Sequence, residues 1–216
     1  MAVCVGLGNK LIPDTHHMNF ICSIFHLSNI VKFSCNHKRC DMSVFKPLFG
    51  KDVLINAALY VAHKLPIGQR RMHKVFKILW FADLSHLKKY GRTITGDTYI
   101  AMTNGPVPSV LYDEIKDCSS PYFRRFDNES GKGFIDVLAE TNEDFLSDTD
   151  KEEMDISFDT YKDMDFGELS QKSHNSAWKA AGLNNSIRLN EILDEIGADE
   201  KMRQYIAENE SIRRVI

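Results

Sequence analysis

Residues 75–82 have the sequence Val-Phe-Lys-Ile-Leu-Trp-Phe-Ala, and this apolar run decides the fold. A helix over these residues is apolar on nearly every side, which is typical of a helix at the centre of a protein with neighbours on several faces. The helical pattern extends over residues 69–89, and Tyr90 with Gly91 ends it. We therefore expect a helical core built around this segment.

Amphipathic helices are predicted on both sides of the central one. In the segment that begins at Lys51, Leu54, Ala58, Val61 and Leu65 recur at i, i+4, i+7 and i+11, and Pro66 with Gly68 ends that pattern. Residues 140–169 hold twelve acidic and two basic side chains, although the net charge of the whole 216-residue chain is only −3. Within them, Ser147 is an N-cap signal, and a stripe of apolar side chains recurs at helical spacing: Met154, Phe158 and Tyr161. The acidic run is therefore interpreted as the solvated face of a helix.

Two segments between these helices favour β-structure. Thr98–Thr103 is a short β-rich run, and residues 122–126 and 134–138 are the predicted arms of a hairpin. Together they predict an α+β, mostly α fold: a helical bundle with a small antiparallel β-sheet of about three strands. No apolar run reaches 18 residues, so no transmembrane helix and no membrane partner are expected.

The first 41 residues differ from the rest in composition. They contain four of the five cysteines, and the set Cys22, His26, Cys35 and Cys40 could bind zinc, although its spacing matches no common zinc knuckle. We favour the alternative, in which residues 1–41 are an N-terminal extension of unknown role, disordered or an over-long start, and residues 42–216 are the domain. An odd number of cysteines argues against a disulfide framework, so the cytoplasm is the expected location.

A polar stripe lies at the end of the central helix, where Asp83, His86 and Tyr90 follow at i, i+3 and i+7. One interpretation is an Asp83–His86 pair that binds a metal or acts as a base in a metal-dependent hydrolase, with His174 as a further member. We favour the other interpretation, a hydrogen-bonded network that ties this helix to the following loop. A third alternative, a DNA-binding regulator, would use the hairpin as a wing. Its few cations beside nearby acids make a nucleic-acid partner unexpected.

Three ordered segments resemble the signature of the Panacea domain of SocA-like antitoxins, a family common in bacteria and prophages. They are Lys77–Ala101, Gly105–Asp113 and Leu169–Trp178. Trp80 stands where the family pattern has Tyr. The resemblance covers about residues 51–182, and its motif residues in this sequence are Phe81, Asp83, His86, Tyr90, Gly91, Thr95, Gly96, Asp97, Tyr99, Gly105, Pro106, Val107, Pro108, Tyr112, His174 and Trp178.

The resemblance implies a non-enzymatic protein of a toxin–antitoxin system that binds and neutralises a cognate toxin, without a cofactor. For some members it also implies an adaptor role, in which the toxin is delivered to a Clp-type protease. Aromatic and arginine side chains are the commonest anchors of protein interfaces. We therefore expect the toxin-binding surface on the first hairpin arm: Tyr122, Phe123, Arg124, Arg125 and Phe126.

Overall fold

The computed structural model describes residues 50–127 and 133–213. Within them, eight α-helices and four short strands follow one another, which confirms the predicted α+β, mostly α class. The elements are α1 (Lys51–Lys64), α2 (Met72–Tyr90), β1 (Tyr99–Met102), β2 (Gly105–Pro108), α3 (Ser109–Lys116), β3 (Phe123–Asp127), β4 (Gly133–Val137), α4 (Asp148–Tyr161), α5 (Phe166–Ser173), α6 (Ser176–Ala181), α7 (Leu189–Glu195) and α8 (Glu200–Arg213).

Helix α2 lies at the centre, as its all-round apolar sequence predicts. One side of it packs in a cluster with α1, α3, α4 and the β3–β4 hairpin, to which Phe76, Leu79 and Ala82 contribute. The other side packs with β1, α6, α7 and α8 through Trp80 and Leu87. Gly91 ends the helix in the left-handed conformation, with φ +70°, which glycine adopts without the steric cost of a side chain.

Helix α4 begins where the sequence predicts. Ser147 and Asp150 form a capping box, in which the Ser147 hydroxyl accepts from the Asp150 backbone and the Asp150 carboxylate accepts from the Ser147 backbone. Met154 is fully buried, and Phe158 with Tyr161 packs against the core. The helix covers α2, and its acidic run is only partly solvated: Asp150 and Glu153 are buried, and Glu153 accepts from Ser85 and Lys89 of α2.

The β-structure differs from the predicted single sheet of about three strands. The described residues form two separate two-stranded antiparallel sheets, β1–β2 and β3–β4. In the first, Tyr99 pairs with Pro108 and Met102 with Gly105. Proline is normally a strand breaker, yet β2 contains two prolines. The N–H of Ser109 donates to Thr98 O across the sheet, and Pro106 and Pro108 occupy the alternate positions, whose nitrogens point the other way. Their missing N–H groups therefore face away from β1 and cost no hydrogen bond of the ladder.

The other edge of β1 is paired with a loop. Ile187 N donates to Tyr99 O at 2.7 Å, and Ala101 exchanges bonds with Asn184 and Asn185 at 2.7 and 2.9 Å. Strand β1 is thus central among three extended segments, which fixes its position against α2. In the part of the chain that the structure describes, no helix combines the length and apolar character that crossing a membrane requires.

Gly105 occupies a position that excludes a side chain. Its φ is +96°, and a Cβ built there would lie 2.2 Å from Ser173 Oγ and 3.0 Å from Lys77 Cε. Gly68 has a similar φ of +87° but no atom within 4 Å of its ideal Cβ. The same substitution at both positions therefore distinguishes the free-energy cost of backbone strain from the cost of steric overlap.

We expect Gly105→Ala to lower the free energy of unfolding more than Gly68→Ala. The backbone conformation should cost about 1–3 kcal/mol in each variant. Overlap with Ser173 should add at least about 1 kcal/mol at Gly105 alone. Urea unfolding of both variants beside the wild type measures the difference. An equal loss of unfolding free energy in both would mean that Ser173 of α5 moves away from β2 at no energetic cost.

Candidate functional site

The motif residue Asp83 is the centre of a buried hydrogen-bond network. Its Oδ1 accepts from the backbone N–H groups of Ile94 at 2.7 Å and Thr95 at 3.0 Å. Its Oδ2 accepts from the hydroxyls of Thr95 at 2.5 Å and Tyr99 at 2.7 Å. Both oxygens are thus engaged, and the carboxylate joins α2 to the loop before β1.

Burial sets the electrostatics of this network. It raises the pKa of Asp83, and the hydrogen bonds from Thr95, Tyr99 and Ile94 oppose that rise because they stabilise the charged form. The pKa of Tyr99 is raised well above its ordinary value by burial and by the neighbouring Asp83 charge. Tyr99 is therefore a neutral donor.

His86 does not pair with Asp83, so the Asp83–His86 pair considered from the sequence is wrong. His86 Nδ1 lies 2.8 Å from Arg92 O, and its Nε2 lies 3.1 Å from Asp150 Oδ1 in α4. The two side chains are three residues apart on α2 but point to different neighbours. Burial raises the pKa of Asp150, but hydrogen bonds from His86 and Ser147 and the Arg92 charge outweigh it and lower that pKa to about 2.

The second motif carboxylate, Asp97, caps α3 from outside that helix. Its Oδ1 accepts from Ser109 Oγ and Val110 N, both at 3.1 Å, and its Oδ2 accepts from Leu111 N at 3.0 Å. A carboxylate at a helix N-terminus satisfies free N–H groups and meets the positive end of the helix dipole. Gly96, with φ +61°, provides the turn before it.

The third motif segment holds the turn between β1 and β2, residues 103–104. Trp178 Nε1 donates to Met102 O at 3.0 Å, and its ring stacks on His174 with centroids 3.9 Å apart. Ser170 Oγ donates to Asn104 O at 3.3 Å. Helices α5 and α6 thus fix this turn against α2, and all three motif segments meet there.

His73 and His174 flank this turn. His73 Nε2 lies 3.1 Å from Ser170 Oγ, and burial together with the Lys77 charge lowers the pKa of His73 to about 4. Burial and the Lys77 charge also lower the pKa of His174, against a hydrogen bond with the Thr103 backbone. Both imidazoles are therefore neutral at pH 7.

Lys77 is the notable residue that the sequence analysis did not single out. It is fully buried, and its Nζ donates to Pro106 O at 2.7 Å. No carboxylate among residues 50–127 and 133–213 forms an ion pair with it, and burial lowers its pKa to about 7. The available signal was the single cation inside the apolar run of α2, where a charge without a partner costs free energy.

The remaining predicted site residues have structural or surface positions. Phe81 stacks on Tyr161, with ring centroids 4.1 Å apart, and Tyr112 meets Phe76 edge to face. Tyr90 is 38% exposed. On the hairpin, Phe123 is buried and Tyr122 packs against the core, so neither is an exposed contact, whereas Arg124, Arg125 and Phe126 are exposed.

The two metal sites considered from the sequence stand differently against the structure. Cys22, His26, Cys35 and Cys40 lie outside the described residues, as does the rest of 1–41. Across residues 50–127 and 133–213, no three His, Cys, Asp or Glu side chains are grouped as metal ligands. Asp83 and His86, the pair considered for a hydrolase, are each held by internal partners.

We expect Asp83→Ala to lower the free energy of unfolding by at least about 1–3 kcal/mol, since it leaves buried donors of Thr95 and Tyr99 without an acceptor. Asp113→Ala, on the exposed face of α3, is the matched control and should stay within about 0.5 kcal/mol of wild type. Chemical unfolding of the three proteins makes the comparison. An Asp83→Ala variant as stable as the control would contradict a structural role.

Lys77 predicts a pH dependence of stability. Its folded-state pKa of about 7 lies below its ordinary 10.5, so between these values the unfolded chain holds a proton that the folded protein lacks. The free energy of unfolding should therefore rise with pH from 7 to 9, by up to about 1.4 kcal/mol per unit, with no such rise below pH 7. Lys77→Met should remove this rise. Parallel wild-type and variant profiles would show that Lys77 does not titrate there.

Comparison with known proteins identifies one family whose model matches part of the chain. Residues 75–179 match the family model described as antitoxin SocA-like, Panacea domain, and this range includes all three motif segments that meet at the β1–β2 turn. Comparison with the curated proteins and with the solved structures gives no significant match. Residues 75–179 of this chain are therefore similar to the Panacea domain of SocA-like antitoxins.

Proposed function

We propose that this protein is a non-enzymatic antitoxin that binds a cognate toxin protein and neutralises it. The observation that carries the proposal is the match of residues 75–179 to the SocA-like antitoxin family. The site geometry supports it, because the motif groups best suited to chemistry, Asp83, Asp97 and His86, are engaged in internal hydrogen bonds. The proposal includes a cytoplasmic location in a bacterial or prophage toxin–antitoxin system and involves no cofactor, membrane or nucleic acid.

The toxin-binding surface that we propose includes the exposed part of the β3–β4 hairpin. Arg124, Arg125 and Phe126 are exposed, and Phe126 is 43% exposed while stacked on Phe134. A stable protein interface buries about 800 Å² on each partner, and arginine and aromatic side chains contribute most of its free energy. Phe126 and the two arginines offer both kinds of anchor side by side.

The test of the function is growth rescue. The product of the gene adjacent to this one is expressed from an inducible promoter, with and without this protein. Rescue of growth supports the antitoxin function, and continued arrest with both proteins present contradicts it for that pair. The same assay in cells without Clp-type proteases separates two mechanisms, because neutralisation by binding persists there and neutralisation by delivery to the protease is lost.

We expect Arg124→Glu with Arg125→Glu to weaken toxin capture at least about tenfold while the melting curve stays unchanged. Stability should be kept because the Arg125–Asp127 ion pair is exposed and such pairs contribute little. Lys179→Glu with Lys201→Glu changes the net charge equally on the exposed surface of α6 and α8 and is the control. Quantitative pull-down with the adjacent gene product compares them. Equal capture by both double variants would exclude the hairpin as a principal contact.

A further inference from the structure

A cavity of about 420 Å³ lies beside the β1–β2 turn. It is bounded by the first turns of α2, by β2 and the turn, by α3, by the hairpin and by the start of α5. Its apolar lining includes three aromatic side chains, which are Phe76, Tyr112 and Phe166. The volume and this lining are in the range of sites that hold a small molecule or a few side chains of a partner.

Among residues 50–127 and 133–213, the ionisable side chains at the cavity other than His73 are all from Lys or Arg. Arg71, Lys77 and Arg125 line it, and no Asp or Glu of these residues does. Within the described part of the chain, Arg71 forms no ion pair, and the hydrogen-bond partner of Lys77 Nζ is the carbonyl of Pro106. In its protonated form Lys77 has three donors, of which Pro106 satisfies one.

The start of α2 adds to this positive character. Its N-cap, Arg71, makes no side-chain capping bond, and its first turn contains no acidic residue. The positive end of the dipole of this 19-residue helix is therefore uncompensated by its own side chains, beside a cavity already lined by cations. Arg125 is also available to an anion in the cavity, because its ion pair with Asp127 is partly exposed and exposed ion pairs exchange partners at little cost.

We propose that this cavity binds a carboxylate carried beside an apolar side chain of the partner toxin, with Arg71, Lys77 and Arg125 as its counter-charges. The inference rests on the proposed function for the identity of the partner. The carboxylate would form an ion pair with Lys77, which has no anionic partner among the described residues. The aromatic lining would cover the apolar side chain next to that carboxylate. A phosphate ligand is less favoured because the sequence contains no glycine-rich phosphate loop.

The test of the cavity uses full-length protein and needs no toxin. N-acetyl-phenylalanine combines a carboxylate with an aromatic ring, N-acetyl-phenylalaninamide has the same ring without the charge, and AMP is the phosphate alternative. Titrations followed by ¹H–¹⁵N NMR should show saturable shifts at Thr103, Asn104 and Gly133 with the carboxylate probe. The amide should bind at least about tenfold more weakly.

Neighbouring residues of β3 provide matched variants. Arg125 lines the cavity and Arg124 does not, so Arg125→Gln should weaken the carboxylate probe several-fold and Arg124→Gln should not. Lys77→Met should abolish its binding in a protein whose melt remains cooperative. Equal binding of the acid and the amide, binding of AMP instead, or equal effects of the two arginine variants would each overturn the carboxylate site.

The toxin is used only in the last experiment. N-acetyl-phenylalanine should compete with the adjacent gene product for wild-type protein in a pull-down. Probe binding without competition would overturn the assignment of the occupant to the toxin, while growth rescue, measured separately, would leave the antitoxin function standing. Failure of rescue would contradict the antitoxin function whatever the probe does.

Discussion

The burial of the middle of α2 constrains the rest of the structure, because the polar groups of its buried residues can find partners only inside the protein. Asp83 is satisfied by the loop before β1 and His86 by Arg92 and α4, whereas Lys77 has one acceptor in β2 and Trp80 Nε1 has none among the described residues. A buried polar group without a partner costs about 1–3 kcal/mol, a large fraction of the stability of a small domain. The loops around α2 are therefore held in place by the polar groups of the helix as well as by its apolar surface.

Much of the fold follows from local sequence signals. The all-round apolar run of α2, the Ser147 N-cap of α4 and the two arms of the hairpin each predict an element that the structure contains. The second sheet was not predicted, because proline is normally a strand breaker. Whether Pro106 and Pro108 break the strand depends on which way their nitrogens face, and the pairing with β1 decides that.

The site was less predictable than the fold for a similar reason. The i, i+3 spacing of Asp83 and His86 indicates one helix face, but their partners differ. Asp83 accepts from residues 94–99, whereas His86 contacts Arg92 O and residues 149–150. Lys77 was missed because a lysine in a helix is ordinarily solvated. Only the packing of β2 and α5 over it shows that this lysine is enclosed.

The residues of the three motif segments mainly support one another, so the residues that maintain the fold are largely different from those that could select a partner. Asp83, Asp97 and Trp178 each hold a turn or a helix end by hydrogen bonds. The exposed hairpin and the rim of the cavity carry few of them. Substitutions there can therefore change recognition while the internal network is kept.

The contact of α4 with α2 has a consequence for synthesis of the chain. Ser157 Oγ donates to Ile78 O at 2.7 Å, a bond between residues 79 positions apart. The Asp83 network, by contrast, joins residues only 11 to 16 positions apart. On the ribosome the Asp83 network can form early, but one side of α2 stays uncovered until α4 has emerged. During that interval the nascent chain exposes apolar side chains of its central helix, and this is the stage at which aggregation or chaperone capture competes with folding.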